Sequence, residues 1–211
     1  MKRAFIPLFT TALLGACAST PPPPDWQANA HLALVNFESA YLKGDSRAAE
    51  AEFARARAEL ASTGRADLVA RAELVRCAAQ VASLAFDDCP GFTALAADAG
   101  APERAYAGYI AGRWQGLDAG LLPVQHRAVV TGGALPQEAM ARLVAAGALF
   151  RAGRIDPAGI ASASETASAN GWRRPLLAWL GVQEKRAADA GDGEAAARIR
   201  RRIDLIMNGG K

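Results

Sequence analysis

An all-α fold is predicted for the chain from Asp25 onward, on three observations. Apolar residues recur at helical rather than alternating spacing, in segments rich in Ala, Leu, Arg and Glu. Gly, Asp and Pro interrupt that pattern at intervals suited to short helices. β-Branched residues are too sparse and scattered to build a sheet.

The first helix is expected over residues 27–43, with Leu34, Phe37 and Tyr41 on one face. Gly44-Asp45 ends it, and a second helix over 46–62 returns with Ala49, Phe53 and Ala56. Ala49 is small enough for the two helices to approach closely, and Phe53 is expected beside Tyr41. A third helix over 65–85 runs toward Asp87-Asp88-Cys89-Pro90, where the residue before a proline avoids helical angles. Helices over 91–99, 102–116 and 121–131 follow, the last carrying His126 and closing at Thr131-Gly132-Gly133. The next spans 136–152 and stops at Gly153; another spans 156–169 and stops at Asn170-Gly171. Pro175 suits the first turn of a helix over 174–190, where Trp179 falls one turn beyond Leu176 and reads as core. A final helix over 193–207 interleaves Arg198 and Arg200 to Arg202 with Ile199, Ile203, Leu205 and Ile206, as a helix closing the core or touching acidic lipid headgroups would.

Three turns echo one another: Gly44-Asp45-Ser46-Arg47-Ala48-Ala49, Gly153-Arg154-Ile155-Asp156-Pro157-Ala158 and Gly191-Asp192-Gly193-Glu194-Ala195-Ala196. The second and third glycines are 38 residues apart and the first two 109 apart, close to three units of the same size. With the Leu34, Phe37, Tyr41 face and the Ala49-to-Phe53 spacing, the first hairpin resembles the tetratricopeptide pattern. Glu38 stands where that pattern has Gly, the turn is one residue short, and no Pro closes the unit. The last hairpin is similar more loosely through Leu180, Ala187, Ala196 and Ile203. The resemblance implies stacked antiparallel hairpins in a tetratricopeptide-like superhelix. A non-repetitive helical bundle is the alternative.

The N-terminus runs from Lys2-Arg3 through an apolar stretch, Ala4 to Leu14, to Leu14-Gly15-Ala16-Cys17. That is the charged, apolar and small-residue order of a signal peptide, and the stretch is too short to span a bilayer. The last four residues resemble a bacterial lipobox, with Gly15 where Ala or Ser is commoner. The resemblance implies cleavage after residue 16, lipidation of Cys17, and, with Ala18 rather than Asp next, the periplasmic face of the outer membrane. The expected organisation is thus a signal over 1–16, a lipidated and Pro-rich tether over 17–25, and a helical domain over 26–211. Pro21 to Pro24 in polyproline II geometry reach only about 12 Å, keeping the domain close to the lipid. Loss of Lys2 and Arg3 with the signal leaves 22 basic against 21 acidic residues, so the net charge falls from +3 to +1. Charges of both signs interleave, and nucleic acid is not an expected partner.

In an oxidising compartment Cys77 and Cys89 are disulfide candidates. A helix from Cys77 to Phe86 rises about 13 Å, and a return through Asp87 and Asp88 recovers about 10 Å. The spacing is not that of an oxidoreductase, so the bridge is expected to be structural. His31 and His126 stand far apart with no metal-ligand spacing, so no metal or cofactor is expected. No serine sits in a nucleophile elbow, Gly132-Gly133 leads into no phosphate motif, and Asp87-Asp88 reads as a solvated turn. Trp172, Arg173 and Arg174 lie at an interhelical corner and are candidate partner-binding residues, since Trp and Arg dominate binding hot spots. Alternatively, Trp172 caps the core while the arginines pair with acids. His126, near a helix start, is a further candidate for a binding groove.

These features predict a non-enzymatic adaptor or assembly factor, anchored to the membrane by its lipid and holding a protein or peptide. The alternatives are a periplasmic enzyme acting on the cell wall, which needs two carboxylates facing each other across a cleft, and a purely structural envelope lipoprotein.

Overall fold

The computed structural model describes residues 24–209. The signal segment, Cys17 and the tether up to residue 23 therefore lie outside the described residues, as do residues 210 and 211. The described residues are helical without a strand, as expected. None of their helices is long and apolar enough to cross a membrane.

Among the described residues ten α-helices follow in order: α1 Asp25–Lys43, α2 Ser46–Ala61, α3 Ala66–Ala82, α4 Pro90–Thr93, α5 Ala101–Ile110, α6 Val124–Val130, α7 Ala139–Arg151, α8 Pro157–Ala169, α9 Arg173–Asp189 and α10 Gly193–Asn208. A 3-10 turn, Ala119–Leu121, precedes α6.

The three echoing turns share one construction. Gly44, Gly153 and Gly191 take positive φ, which only glycine adopts without steric cost. An aspartate then caps the next helix: Asp45 accepts from the Ala48 N–H at 3.0 Å, Asp156 from Gly159 at 2.7 Å, and Asp192 from Ala195 at 2.9 Å.

In the first hairpin Ala49 is buried against α1, and Phe53 meets Phe37, with ring centroids 5.2 Å apart. Phe37, rather than Tyr41 alone, is thus the aromatic neighbour of Phe53, and it bridges the two, lying 5.8 Å from Tyr41.

Helix α3 is the centre of the molecule. It touches α1, α2, α4, α5 and α7, while α9 contacts α1 as well as α8 and α10. At Gly147 of α7 an added methyl would overlap the carbonyl oxygen of Val81 on α3, so these two backbones cross in direct contact. Two buried clusters result. One, around Phe37, Phe53 and Leu42, joins α1, α2 and α3; the larger, around Trp179, Leu143, Tyr109 and Leu74, joins α3 to α5, α7, α8 and α9. The Trp179 indole N–H donates to the Ala82 carbonyl at 3.1 Å, closing an open carbonyl at the C-terminus of α3.

The middle of the chain is more broken than expected. Helix α3 stops at Ala82 and Leu84 takes positive φ. The expected 91–99 helix shrinks to the single turn α4, and 102–116 ends at Ile110. There Trp114 folds back to donate from Nε1 to the Tyr109 carbonyl at 2.8 Å and stacks on the Tyr109 ring. The early end of α3 lets Cys89 return to Cys77: the two are bridged, with Cα atoms 5.8 Å apart.

Candidate functional site

Five helices and one turn wall a groove of about 600 Å³. Helix α3 supplies its apolar side through Leu74, Val75 and Ala78, and α7 the opposite side through Met140, Ala141 and Val144. Tyr106 comes from α5, Leu121 and Leu122 from the turn before α6, His126 from α6 and Glu38 from α1.

Local sequence explains how the polar groups arrive there. Tyr106 and Tyr109 are three apart on α5 and share a face. Pro123 starts the short helix α6, which turns Val124 to solvent and His126 and Val129 inward. His126 is only 2% exposed. Its Nδ1 lies 3.2 Å from the Tyr109 hydroxyl, and its ring centroid is 5.0 Å from Tyr109 and 5.7 Å from Tyr106. Glu138 caps α7, accepting from the Met140 N–H at 2.8 Å and the Ala141 N–H at 2.6 Å.

Burial sets the charge states. Desolvation pushes the His126 imidazolium down to about 4, with the nearby Glu138 charge opposing the shift, so the ring is neutral across the ordinary pH range. The Glu38 carboxyl is raised, first by burial and then by the Glu138 charge. Burial also raises both tyrosine hydroxyls; the Glu38 charge adds to the effect at Tyr106. Among the described residues no group of three or more His, Cys, Asp or Glu is placed to hold a metal.

The other residues singled out from sequence lie elsewhere. Trp172 caps α9 at its N-terminus and is half-buried against both apolar clusters. Arg174 sits over the Tyr41 ring at 4.2 Å, donates from Nε to the Tyr41 carbonyl at 2.7 Å and from Nη2 to Ser46 Oγ at 2.7 Å. It thus ties α9 to the α1–α2 turn through hydrogen bonds to a carbonyl and a hydroxyl rather than to an acid. Arg173 is exposed. His126 is therefore the one partner-binding candidate from sequence that lines the groove. His31 is exposed on α1. Asp87 and Asp88 lie in the irregular link between α3 and α4, Asp87 accepting from the Cys89 N–H at 2.8 Å.

Sequence reading missed Glu38, Glu138, Tyr106 and Tyr109. Glu38 was visible only as the residue replacing a glycine of the repeat pattern, and Glu138 as a charged residue near a helix start.

No family model matches this chain, and no curated protein or solved structure matches it.

Proposed function

We propose that this chain is a lipid-anchored adaptor or assembly factor at the periplasmic face of the outer membrane, and that it holds a protein or peptide in the groove around His126. The lipobox-like run ending at Cys17 and the short proline tether support the location. The observation that carries the binding role is the groove itself: its walls come from helices far apart in sequence, and its volume falls within the range of ligand pockets. A tetratricopeptide-like register is proposed for the α1–α2 hairpin, where the small and aromatic pattern positions are buried together. The contact between α9 and α1 favours a closed bundle for the whole.

The test is capture from the envelope after crosslinking in living cells, using the lipidated chain. The wild type should retain a discrete partner, and Leu121→Arg at the groove rim should lose it with membrane attachment unchanged. Cys17→Ala should lose fatty-acid labelling and leave the membrane fraction. Retention of the same partner by Leu121→Arg would refute the groove, and a protein that takes up no fatty acid would refute the anchor.

One observation favours a second reading. Glu38 and Glu138 line the same groove, and Glu38 is held toward its protonated form while Glu138 accepts two backbone hydrogen bonds. Two carboxyls lining one cleft, one of them raised, are what glycoside hydrolysis requires. Release of soluble fragments from purified cell wall, abolished in Glu138→Gln, would establish the enzyme in place of the adaptor.

A further inference from the structure

A second groove, of about 630 Å³, shares no lining residue with the first. It follows α9 from Ala178 to Asp189, and Leu84, Phe150, Ile155, Ile160 and Val182 give it apolar walls. Ser83, the C-cap of α3, lines it too. This side chain is 6% exposed, and its Oγ is buried without a hydrogen-bond partner among the described residues. A buried hydroxyl left unsatisfied costs stability, which alanine at the same place would not. A partner that enters the groove accounts for it.

Two further residues shape the groove at some cost to the helices. Leu84 takes φ +55° directly after that C-cap, the position where glycine is usual, and so adds an apolar side chain to the wall. Gly181 stands inside α9, where glycine weakens a helix, and a methyl added there would meet nothing within 4 Å. Close packing does not require this glycine; what it does is leave space in the groove. Trp179 donates to the Ala82 carbonyl, so Ser83 lies beside the Ala178 end of the groove, and Arg186 is about 12 Å further along α9. Lys185 and Asp189 engage each other at 3.1 Å, whereas the exposed Arg186 has no ion pair among the described residues. The matching occupant has an apolar body, an anion at one end and a hydrogen-bond acceptor about 12 Å away, a distance that three to four extended residues cover. An alkyl carboxylate would leave Ser83 facing methylene groups.

We propose that this second groove receives the apolar carboxyl terminus of a peptide. The carboxylate meets Arg186, a carbonyl three residues back accepts from Ser83 Oγ–H, and the side chains lie against Leu84, Phe150 and Val182. The site is separate from the groove around His126 and does not depend on what that one holds.

Titration calorimetry on the full lipoprotein in lipid nanodiscs tests this with three probes: acetyl-Ala-Leu-Val-Leu with a free carboxylate, the same peptide as its carboxamide, and octanoate. The acid should bind at least tenfold tighter than the carboxamide, and Arg186→Gln should erase the difference. Ser83→Ala should weaken the acid about tenfold while raising the melting temperature of the unliganded protein by roughly 2–4 °C, a pairing that a purely structural hydroxyl would not give. Gly181→Leu should abolish binding with the helical circular dichroism unchanged. Equal binding of acid and carboxamide, no binding of either, or wild-type affinity in Ser83→Ala overturns the proposal. Octanoate binding as tight as that of the peptide acid overturns the peptide and establishes an alkyl carboxylate as the occupant instead.

Discussion

At His126 the folded state excludes a proton that the unfolded chain binds readily. The imidazole falls from an ordinary value near 6.5 to about 4 on burial, so unfolding takes up a proton between those limits. Stability is therefore unaffected by this group above about pH 7 and declines as pH falls from about 6.5 to about 4, by on the order of 3 kcal/mol. Urea unfolding across that range should show the decline, and His126→Gln should flatten it. Glu38 works in the opposite direction: a raised carboxyl contributes stability in acid that is lost as pH rises through its folded value. Glu38→Gln should raise the melting temperature at pH 7 by a few degrees, with the gain vanishing below pH 4. A residue that weakens the fold at the pH where it ionises, and that faces a groove, is better explained by binding than by packing. His126 could be picked out from sequence because the chain has only two histidines. Glu38 and Glu138 could not, since a lone Glu on an Ala-rich helix looks the same in a groove or in solvent.

At the scale of elements, what local chemistry decides was legible. The Gly-then-Asp turns before α2, α8 and α10 carry both the left-handed stop and the cap within four residues, and the bridge Cys77–Cys89 follows from a short helix-to-turn return. What tertiary contacts decide was not: α5 ends where Trp114 folds onto Tyr109, a contact that leaves no periodic signal in the sequence. Reducing the bridge, or Cys77→Ala with Cys89→Ala, should cost about 2–3 kcal/mol, a melting-temperature drop of roughly 5–10 °C. Gly147→Ala forces α3 and α7 apart at the Val81 carbonyl and should destabilise by about 1–3 kcal/mol despite the better helix propensity of alanine. A neutral or stabilised Gly147→Ala in thermal melts would show that the two helices do not cross there.

At the scale of the molecule, the helical class was legible from composition and period, but the arrangement was not. The sequence pattern describes hairpins that stack on their neighbours, whereas α3 gathers α5 and α7, and α9 reaches back to α1 across more than 100 residues. Those contacts create the groove, which no single segment encodes. Away from it, α10 packs chiefly on α9 and leaves Leu205 72% and Met207 52% exposed, a rival surface for a partner. The central claim, that the partner sits in the groove, is tested most directly by a photoreactive residue placed at Leu121 or at Leu205 of the lipoprotein in living cells. A discrete adduct from Leu121 and none from Leu205 is the predicted result; an adduct from Leu205 with none from Leu121 would contradict it.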